Sequence, residues 1–138
     1  MNRRRQKKLT NRLFEAVLGD DAVGVAVLLR AGADPGRADR EGTTPLYEAA
    51  VNGRTAIVRL LLAAGAPPDA ESSGTGAEGT PLCAAACWGH TDVVRELLAH
   101  GADPSLREDH GTGWSPLRWA ENGPHPGTAE LLTAAGAG

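Results

Sequence analysis

Two cysteines and a histidine near the middle of the chain raise the question of a metal site. Cys83, Cys87 and His90 lie four and three residues apart. Thiolates and imidazoles are zinc ligands, but a tetrahedral structural site needs four of them. No fourth donor follows at a finger-like spacing. We therefore expect no metal and no other cofactor, and we interpret both cysteines as small hydrophobic residues of a helix.

A glycine-rich segment raises the question of phosphate binding. Residues 74–79 read GTGAEG, which matches the GxGxxG pattern of dinucleotide-binding proteins. That pattern works only after a buried strand and within a βαβ unit. The preceding residues 67–73 read PPDAESS, which does not suit such a strand. The segment is predicted to be a flexible loop tip, with a phosphate site as the weaker interpretation.

The remaining histidines do not indicate catalysis. His100, His110 and His125 have no Ser, Cys or acidic neighbour in a recognisable nucleophile arrangement. His100 falls in the last turn of a predicted helix, where a partial positive charge is favourable. We expect no catalytic residues.

The elements that would position these side chains repeat along the chain. Pairs of leucines recur at intervals of 33, 36 and 34 residues. Each pair belongs to the apolar stripe of a helix, as in residues 57–66, IVRLLLAAGA. Before the last three stripes lies a shorter helical segment that starts with TPL or SPL. The leucine pairs are Leu28/Leu29, Leu61/Leu62, Leu97/Leu98 and Leu131/Leu132.

The ends of these helices have recognisable signals. A hydroxyl residue is expected to cap each shorter helix, and the proline after it suits the first helical position. A glycine is expected to end each longer helix in the left-handed conformation. The predicted caps are Thr44, Thr80 and Ser115, followed by Pro45, Pro81 and Pro116. The terminating glycines are Gly32, Gly65, Gly101 and Gly136.

One helix pair cannot bury its apolar stripe alone, but stacked pairs form a continuous core. The sequence therefore predicts an all-α solenoid of four stacked helix-turn-helix repeats, in which the terminal repeats act as caps. Their approximate bounds are residues 9–38, 39–71, 72–108 and 109–138, in a single domain that covers 9–138. Residues 1–8 are expected to form a disordered basic arm.

The repeated motifs resemble the ankyrin repeat, whose signature is TPLHxAAxxGH followed by VVxLLLxxGAD. The match is closest in GTPLCAAACWGH (residues 79–90) and VVRELLAHGAD (residues 93–103). The resemblance implies a structural role for His90. It also implies that a loop-bracing hydrogen bond is missing, because Tyr47, Cys83 and Arg118 replace the usual histidine.

The resemblance further implies a non-catalytic protein that binds a partner protein through its loop tips and the concave face of its first helices. Leu18 would extend that face at the N-terminal end. The residues that correspond to these positions are Arg40, Glu41, Thr43, Val51, Asn52, Cys87, Trp88, Thr112, Trp114 and Asn122.

Two tryptophans and two lengthened loops are expected to carry the specificity. The second and third loops between repeats are longer than the first by three and two residues. Trp88 and Trp114 are predicted on the binding side, where tryptophan is favoured as an anchor. The alternative is that they pack on one another or brace the loops. Trp119 is predicted to seal the core.

Charge divides the chain into a basic start and an acidic remainder. The first twelve residues carry six basic side chains and no acid, whereas the rest has 8 basic and 17 acidic residues. Residues Arg3, Arg4, Arg5, Lys7 and Lys8 could be a solubilising end, contact the acidic body, or attach to nucleic acid or another polyanion. The last interpretation is the alternative function. The acidic body itself should repel phosphates.

Location is inferred from the absence of export signals. No apolar run approaches the ~18 residues of a membrane span. Arg12 and Glu15 interrupt any signal-peptide core, so we expect no cleaved leader. Cys83 and Cys87 lie four apart in one predicted helix, which disfavours a disulfide. These features favour a cytoplasmic protein, and the bias toward Ala, Gly and Arg favours a bacterial source.

Overall fold

The computed structural model describes residues 2–74 and 77–138. In these ranges the chain forms nine helices and two short strands. None of the helices within them combines the length and apolar character needed to cross a membrane. The elements are α1 (Arg3–Leu18), α2 (Ala22–Arg30), α3 (Pro45–Val51), α4 (Thr55–Ala63), β1 (Ser72–Gly74), β2 (Ala77–Gly79), α5 (Pro81–Trp88), α6 (Thr91–Ala99), α7 (Glu108–Gly111), α8 (Pro116–Asn122) and α9 (Pro126–Ala134).

Eight of these helices pack as four consecutive pairs: α1 with α2, α3 with α4, α5 with α6, and α8 with α9. The first helices α1, α3, α5 and α8 contact one another in sequence, and so do the second helices α2, α4, α6 and α9. The extensive contacts of each pair are therefore with its neighbours along the stack. This arrangement is the predicted all-α solenoid, with a β hairpin added between the second and third pairs.

The predicted helix caps are confirmed. The hydroxyls of Thr44, Thr80 and Ser115 each accept a hydrogen bond from the backbone N–H three residues on, which satisfies a donor left free at a helix start. Prolines follow at the first turn. The four glycines predicted to end the second helices have φ between +89° and +102°.

Small and aliphatic side chains fill the core. Ala49, Ala50, Ala85 and Ala86 are fully buried on the first helices, so neighbouring helices approach closely there. The largest fully buried side chains include Leu13, Ile57, Leu61, Leu82, Leu97 and Leu132. Of the predicted leucine pairs, four members are buried in the core and four pack against it partly buried: Leu61, Leu62, Leu97 and Leu132 are the buried ones, and Leu28, Leu29, Leu98 and Leu131 the partly buried ones.

Two histidines bridge neighbouring pairs in the same way. The Nε2–H of His90 donates to the carbonyl of Val51 over 3.1 Å, and that of His125 donates to the carbonyl of Cys87 over 3.0 Å. Both carbonyls lie in the last turn of a first helix, where backbone acceptors lack helical partners. His90 therefore has the structural role that was expected. His125 repeats it in the last pair.

The N-terminal residues differ from the expected disordered arm. Helix α1 begins at Arg3, and the side chain of Asn2 caps it by accepting a hydrogen bond from the backbone N–H of Arg5. Arg, Gln and Lys are good helix formers, so nothing interrupts the helix before its buried residues Leu9 and Leu13. Residues 3–8 thus continue into the first repeat as helix.

The residues on either side of Thr75 and Gly76 in the glycine-rich segment form two short strands. β1 and β2 pair antiparallel, with Ser72 opposite Gly79 and Gly74 opposite Ala77. The backbone N–H of Ser73 donates to the carbonyl of Gly42 in the preceding loop. A hairpin of adjacent strands is not the βαβ unit that a dinucleotide site requires. Thr75 and Gly76 of the motif lie outside the described residues.

Candidate partner-binding groove

A groove of about 310 Å³ runs along the first helices α3, α5 and α8. Its walls come from these helices and from the two lengthened loops. The helical lining residues are Tyr47, Val51, Cys83, Ala84, Cys87, Trp88 and Trp119. The loops contribute Glu78, Gly79, Glu108 and Asp109.

The two lengthened loops are connected to each other beside the groove. Glu71, just before β1, accepts the backbone N–H of His110 over 3.3 Å, and its carboxylate lies 3.3 Å from the Nδ1 atom of the same residue. Asp109 and His110 have φ of +54° and +52°, a left-handed conformation that non-glycine residues adopt uncommonly. The hairpin and α7 thus form one rim of the groove.

Glu108 is the most constrained polar side chain of the groove. Its Oε1 atom accepts a hydrogen bond from the Nε1–H of Trp119 over 2.9 Å. Its Oε2 atom lies against Gly79, where an added Cβ would come within 2.6 Å. Burial raises the pKa of this carboxyl; the hydrogen bond from Trp119 lowers it, and the charges of Asp109 and Glu71 raise it. The carboxylate is therefore held in a partly desolvated, acidic environment.

The phenol and the two thiols of the groove are held in their neutral forms. Burial raises the pKa of Tyr47 to about 12, and Glu108 and Glu78 add to the effect. Burial also raises the pKa of Cys83 to about 12. The pKa of Cys87 is raised by burial and by Glu108. Because a reactive cysteine needs a lowered pKa, neither thiol is activated as a nucleophile.

Three of the ten predicted binding residues line the groove: Val51, Cys87 and Trp88. Trp88 stands at the end of α5 with 62% of its surface exposed. Five others are exposed but lie outside the groove lining. These are Arg40, Glu41, Asn52, Thr112 and Asn122.

The structure places Thr43 inside a turn, and it gives Trp114 the loop-bracing contact that was the alternative prediction. Thr43 is only 4% exposed, and its backbone N–H donates to the Asp39 carboxylate, so it forms the inside of a turn. Trp114 packs on Trp119 with ring centroids 4.6 Å apart, and the Arg118 guanidinium lies 4.4 Å above its ring. Trp114 therefore braces its loop. Its partner is Trp119 rather than Trp88.

Several residues of the groove were not predicted from the sequence. Glu78, Glu108 and Asp109 lie in the two lengthened loops. The acidic residues of these loops were the feature of the sequence from which they could have been predicted. Trp119 was expected to seal the core; it packs against the core and also lines the groove. Cys83 replaces the histidine that usually braces the loop. Its Sγ atom lies 3.6 Å from the carbonyl oxygen of Trp114, a weak hydrogen bond in place of the histidine's.

The cysteines and histidine considered as metal ligands face different partners. Cys83 and Cys87 are free thiols at the groove, whereas the ring of His90 binds the Val51 carbonyl. Over residues 2–74 and 77–138, no three His, Cys, Asp or Glu side chains are grouped in a way that could hold a metal ion.

Comparison with known families agrees with the stacked helix pairs. The sequence profile described as ankyrin repeats (3 copies) matches residues 13–108 and residues 68–138. No curated protein matches the sequence. The two profile matches together extend through all four helix pairs and both lengthened loops. The chain therefore belongs to the ankyrin-repeat family.

Proposed function

We propose that this protein is a non-catalytic module that binds a partner protein through the groove and the neighbouring loop tips. Ankyrin repeats generally mediate protein–protein interaction. The proposal for this chain rests on one observation: Trp88 is 62% exposed on the wall of a concave surface. A large exposed apolar side chain at such a place is typical of an interface anchor.

The other aromatic side chains make the exposure of Trp88 distinctive. Phe14 and Tyr47 are 9% and 8% exposed, and Trp114 and Trp119 are half-buried against each other. Packing therefore uses four of the five aromatic residues. The fifth has its ring face available to a partner.

We also propose that the groove has no catalytic activity. The raised pKa values of Tyr47, Cys83 and Cys87 keep these groups protonated at neutral pH. Glu108, the most buried carboxylate of the groove rim, has a hydrogen bond to an indole rather than to a hydroxyl or thiol that it could deprotonate.

The test is affinity capture with the full chain, compared with two variants. Trp88→Ala removes the exposed ring of the groove, and Val23→Ala removes an apolar side chain that is 76% exposed on α2. We expect at least one protein that wild type and Val23→Ala retain equally and Trp88→Ala loses. Anchors of this kind contribute about 2 kcal/mol. Identical captured sets for all three proteins would contradict the proposed function.

A second candidate function is attachment to a polyanion, which one structural feature favours. Lys7 of α1 shares a shallow depression with Arg37 and Arg40 of the first loop, and the Asp39 carboxylate in the same lining accepts the backbone N–H groups of Glu41 and Thr43. The basic charge predicted for the N-terminus thus continues onto the folded domain. Phosphate groups bind such surfaces in a salt-dependent manner.

The polyanion function is tested by replacing Arg3, Arg4, Arg5, Lys7 and Lys8 with glutamine. If it operates, wild type binds a labelled 20-nucleotide single strand at low salt and the variant loses that binding, while proteins captured through Trp88 are unaffected. Equal retention of the strand by both proteins would eliminate this candidate.

We also propose a cytoplasmic location, which two free thiols support. A buried free cysteine such as Cys83 persists most readily in a reducing compartment.

A further inference from the structure

The charges around the groove are of one sign. Glu78, Glu108 and Asp109 line it, and none of its described lining residues is Lys, Arg or His. Glu78 and Glu108 both raise the pKa of Tyr47, which places both carboxylates within electrostatic range of the same phenol. Glu108 is half-buried, whereas Glu78 and Asp109 are exposed, so the lining has three acidic groups at different depths.

The Glu108 carboxylate is only partly satisfied by the protein. Within the described part of the chain, the Trp119 indole is the one side chain or backbone group that donates a hydrogen bond to it. A carboxylate can accept about four hydrogen bonds, and a partly desolvated one is stabilised strongly by a charged donor. The neighbouring acids Asp109 and Glu71 make that environment more negative still.

Aromatic rings stand beside these charges. Trp88, Trp119 and Tyr47 line the same groove as the two glutamates. The face of an aromatic ring attracts a cation, and tryptophan does so most strongly. Guanidinium and ammonium groups also carry long apolar stems that pack well on rings. Rings and carboxylates together match a side chain with an apolar stem and a cationic end.

The size of the groove limits what can enter. A volume of about 310 Å³ is at the lower end of the ~300–1,000 Å³ range of small-ligand pockets. That space suits one long side chain with its flanking backbone. Loop tips on either side remain available for contact with the rest of a partner.

We propose that the groove takes an arginine or lysine side chain from an extended segment of the partner protein, with its charged end at Glu108 and Glu78 and its stem on the exposed ring of Trp88. This inference rests on the proposed function of the same groove. It adds the chemistry of the partner: a basic anchor residue in an exposed, extended stretch of chain. Arginine fits best, because its planar group can donate to a carboxylate and stack on a ring at once.

The experiment selects binders from a random 12-residue peptide display library on the full-length protein, with counter-selection on Trp88→Ala. We expect enriched peptides to share a basic residue at one aligned position. Replacing that residue with glutamine should weaken binding to wild type about tenfold, and Glu108→Gln should weaken the unchanged peptide by a similar factor.

A double-mutant cycle then shows whether the two groups meet. The peptide with glutamine in place of the basic residue should have dissociation constants for wild type and for Glu108→Gln that agree within about twofold, because the shared interaction is already lost. The matched control is Glu130→Gln, which removes an exposed carboxylate of α9 outside the groove lining and should leave both affinities unchanged.

The outcomes separate the inference from the function on which it rests. Two results would overturn the inference and leave the proposed function intact. The selected peptides could depend on Trp88 without sharing a basic position, or the effects of the peptide and protein substitutions on binding free energy could be additive in the cycle. A library without Trp88-dependent binders would count against both. If sedimentation shows that wild type self-associates and that Glu108→Gln does not, the groove binds basic residues of a second copy of the chain instead.

Discussion

The indole of Trp119 donates a hydrogen bond to the carboxylate of Glu108 over 2.9 Å and so ties helix α8 to the loop that precedes it. Trp119 in turn packs against Trp114, the last loop residue before the Ser115 cap. The second of the two lengthened loops is thus held by a side chain of the helix that it leads into. The same contact fixes the position of the most buried carboxylate of the groove rim.

Substitutions of Glu108 should separate its hydrogen bond from its charge. Glu108→Ala leaves the half-buried Trp119 N–H without an acceptor and should lower the free energy of unfolding by about 1–2 kcal/mol. Glu108→Gln keeps an acceptor oxygen and removes a partly desolvated charge, so its stability should equal or exceed that of wild type. Urea denaturation measures both. Equal losses in the two variants would contradict a role for the hydrogen bond.

The pH dependence of Glu108→Gln follows from the raised pKa. In the folded state this carboxyl holds its proton to higher pH than its ordinary value of 4.5. Wild type therefore loses stability from this group as pH rises from about 4.5 through the folded pKa. The variant has no such loss, so the difference in unfolding free energy, variant minus wild type, should increase over that interval. A difference that is flat from pH 4 to pH 7 would show that the carboxyl is not perturbed.

Trp88 and Trp114 should respond in opposite ways to replacement by alanine. Trp88 is exposed, so Trp88→Ala should change the free energy of unfolding by no more than about 0.5 kcal/mol. Trp114→Ala removes the contacts with Trp119 and Arg118 and should cost about 2 kcal/mol. Chemical denaturation of the two variants tests this. A large loss in Trp88→Ala alone would make Trp88 structural and remove the main support for the groove as a binding site.

The two cysteines should differ in their reaction with iodoacetamide. Cys83 is 1% exposed and its pKa is raised to about 12, whereas Cys87 is half-buried on the groove wall. At pH 8 the folded protein should be alkylated at Cys87 first, and Cys83 should react only on unfolding. Peptide mass spectrometry over time locates the label. Cys87→Ser is the control that should remain unlabelled under native conditions.

Gly79→Ala should disturb the groove through its contact with Glu108. Gly79 has φ of +117°, and an added Cβ would lie 2.6 Å from Oε2 of Glu108. The backbone strain should cost about 1–3 kcal/mol and displace the carboxylate. The matched control is Gly127→Ala in α9, where the new methyl group meets nothing within 4 Å. That control should be neutral or stabilising by up to about 1 kcal/mol. Denaturation that ranks the variants in the reverse order would exclude Glu108 from this position.

The repeat frame follows from the sequence because its determinants are local. The caps Thr44, Thr80 and Ser115 each bond to a backbone N–H only three residues away, and the spacing of leucines defines the buried stripe of each second helix. The helical start of the chain also had a local signal. Asn2 caps a run of residues with good helix propensity, but the high charge of that run favoured the prediction of a disordered arm.

The groove depended on tertiary structure because its residues are distant in sequence. Glu78, Trp88 and Glu108 come from different elements, and stacking of the helix pairs sets the distances between them. The resemblance to the ankyrin repeat implied that Trp88 and Trp114 lie on one binding side. The structure turns Trp114 onto Trp119, and no spacing rule gives the direction of a side chain in an irregular loop. The repeat period and the helix caps thus determine the stack of helix pairs from the sequence. Packing between the loops decides which side chains meet on the surface of that stack.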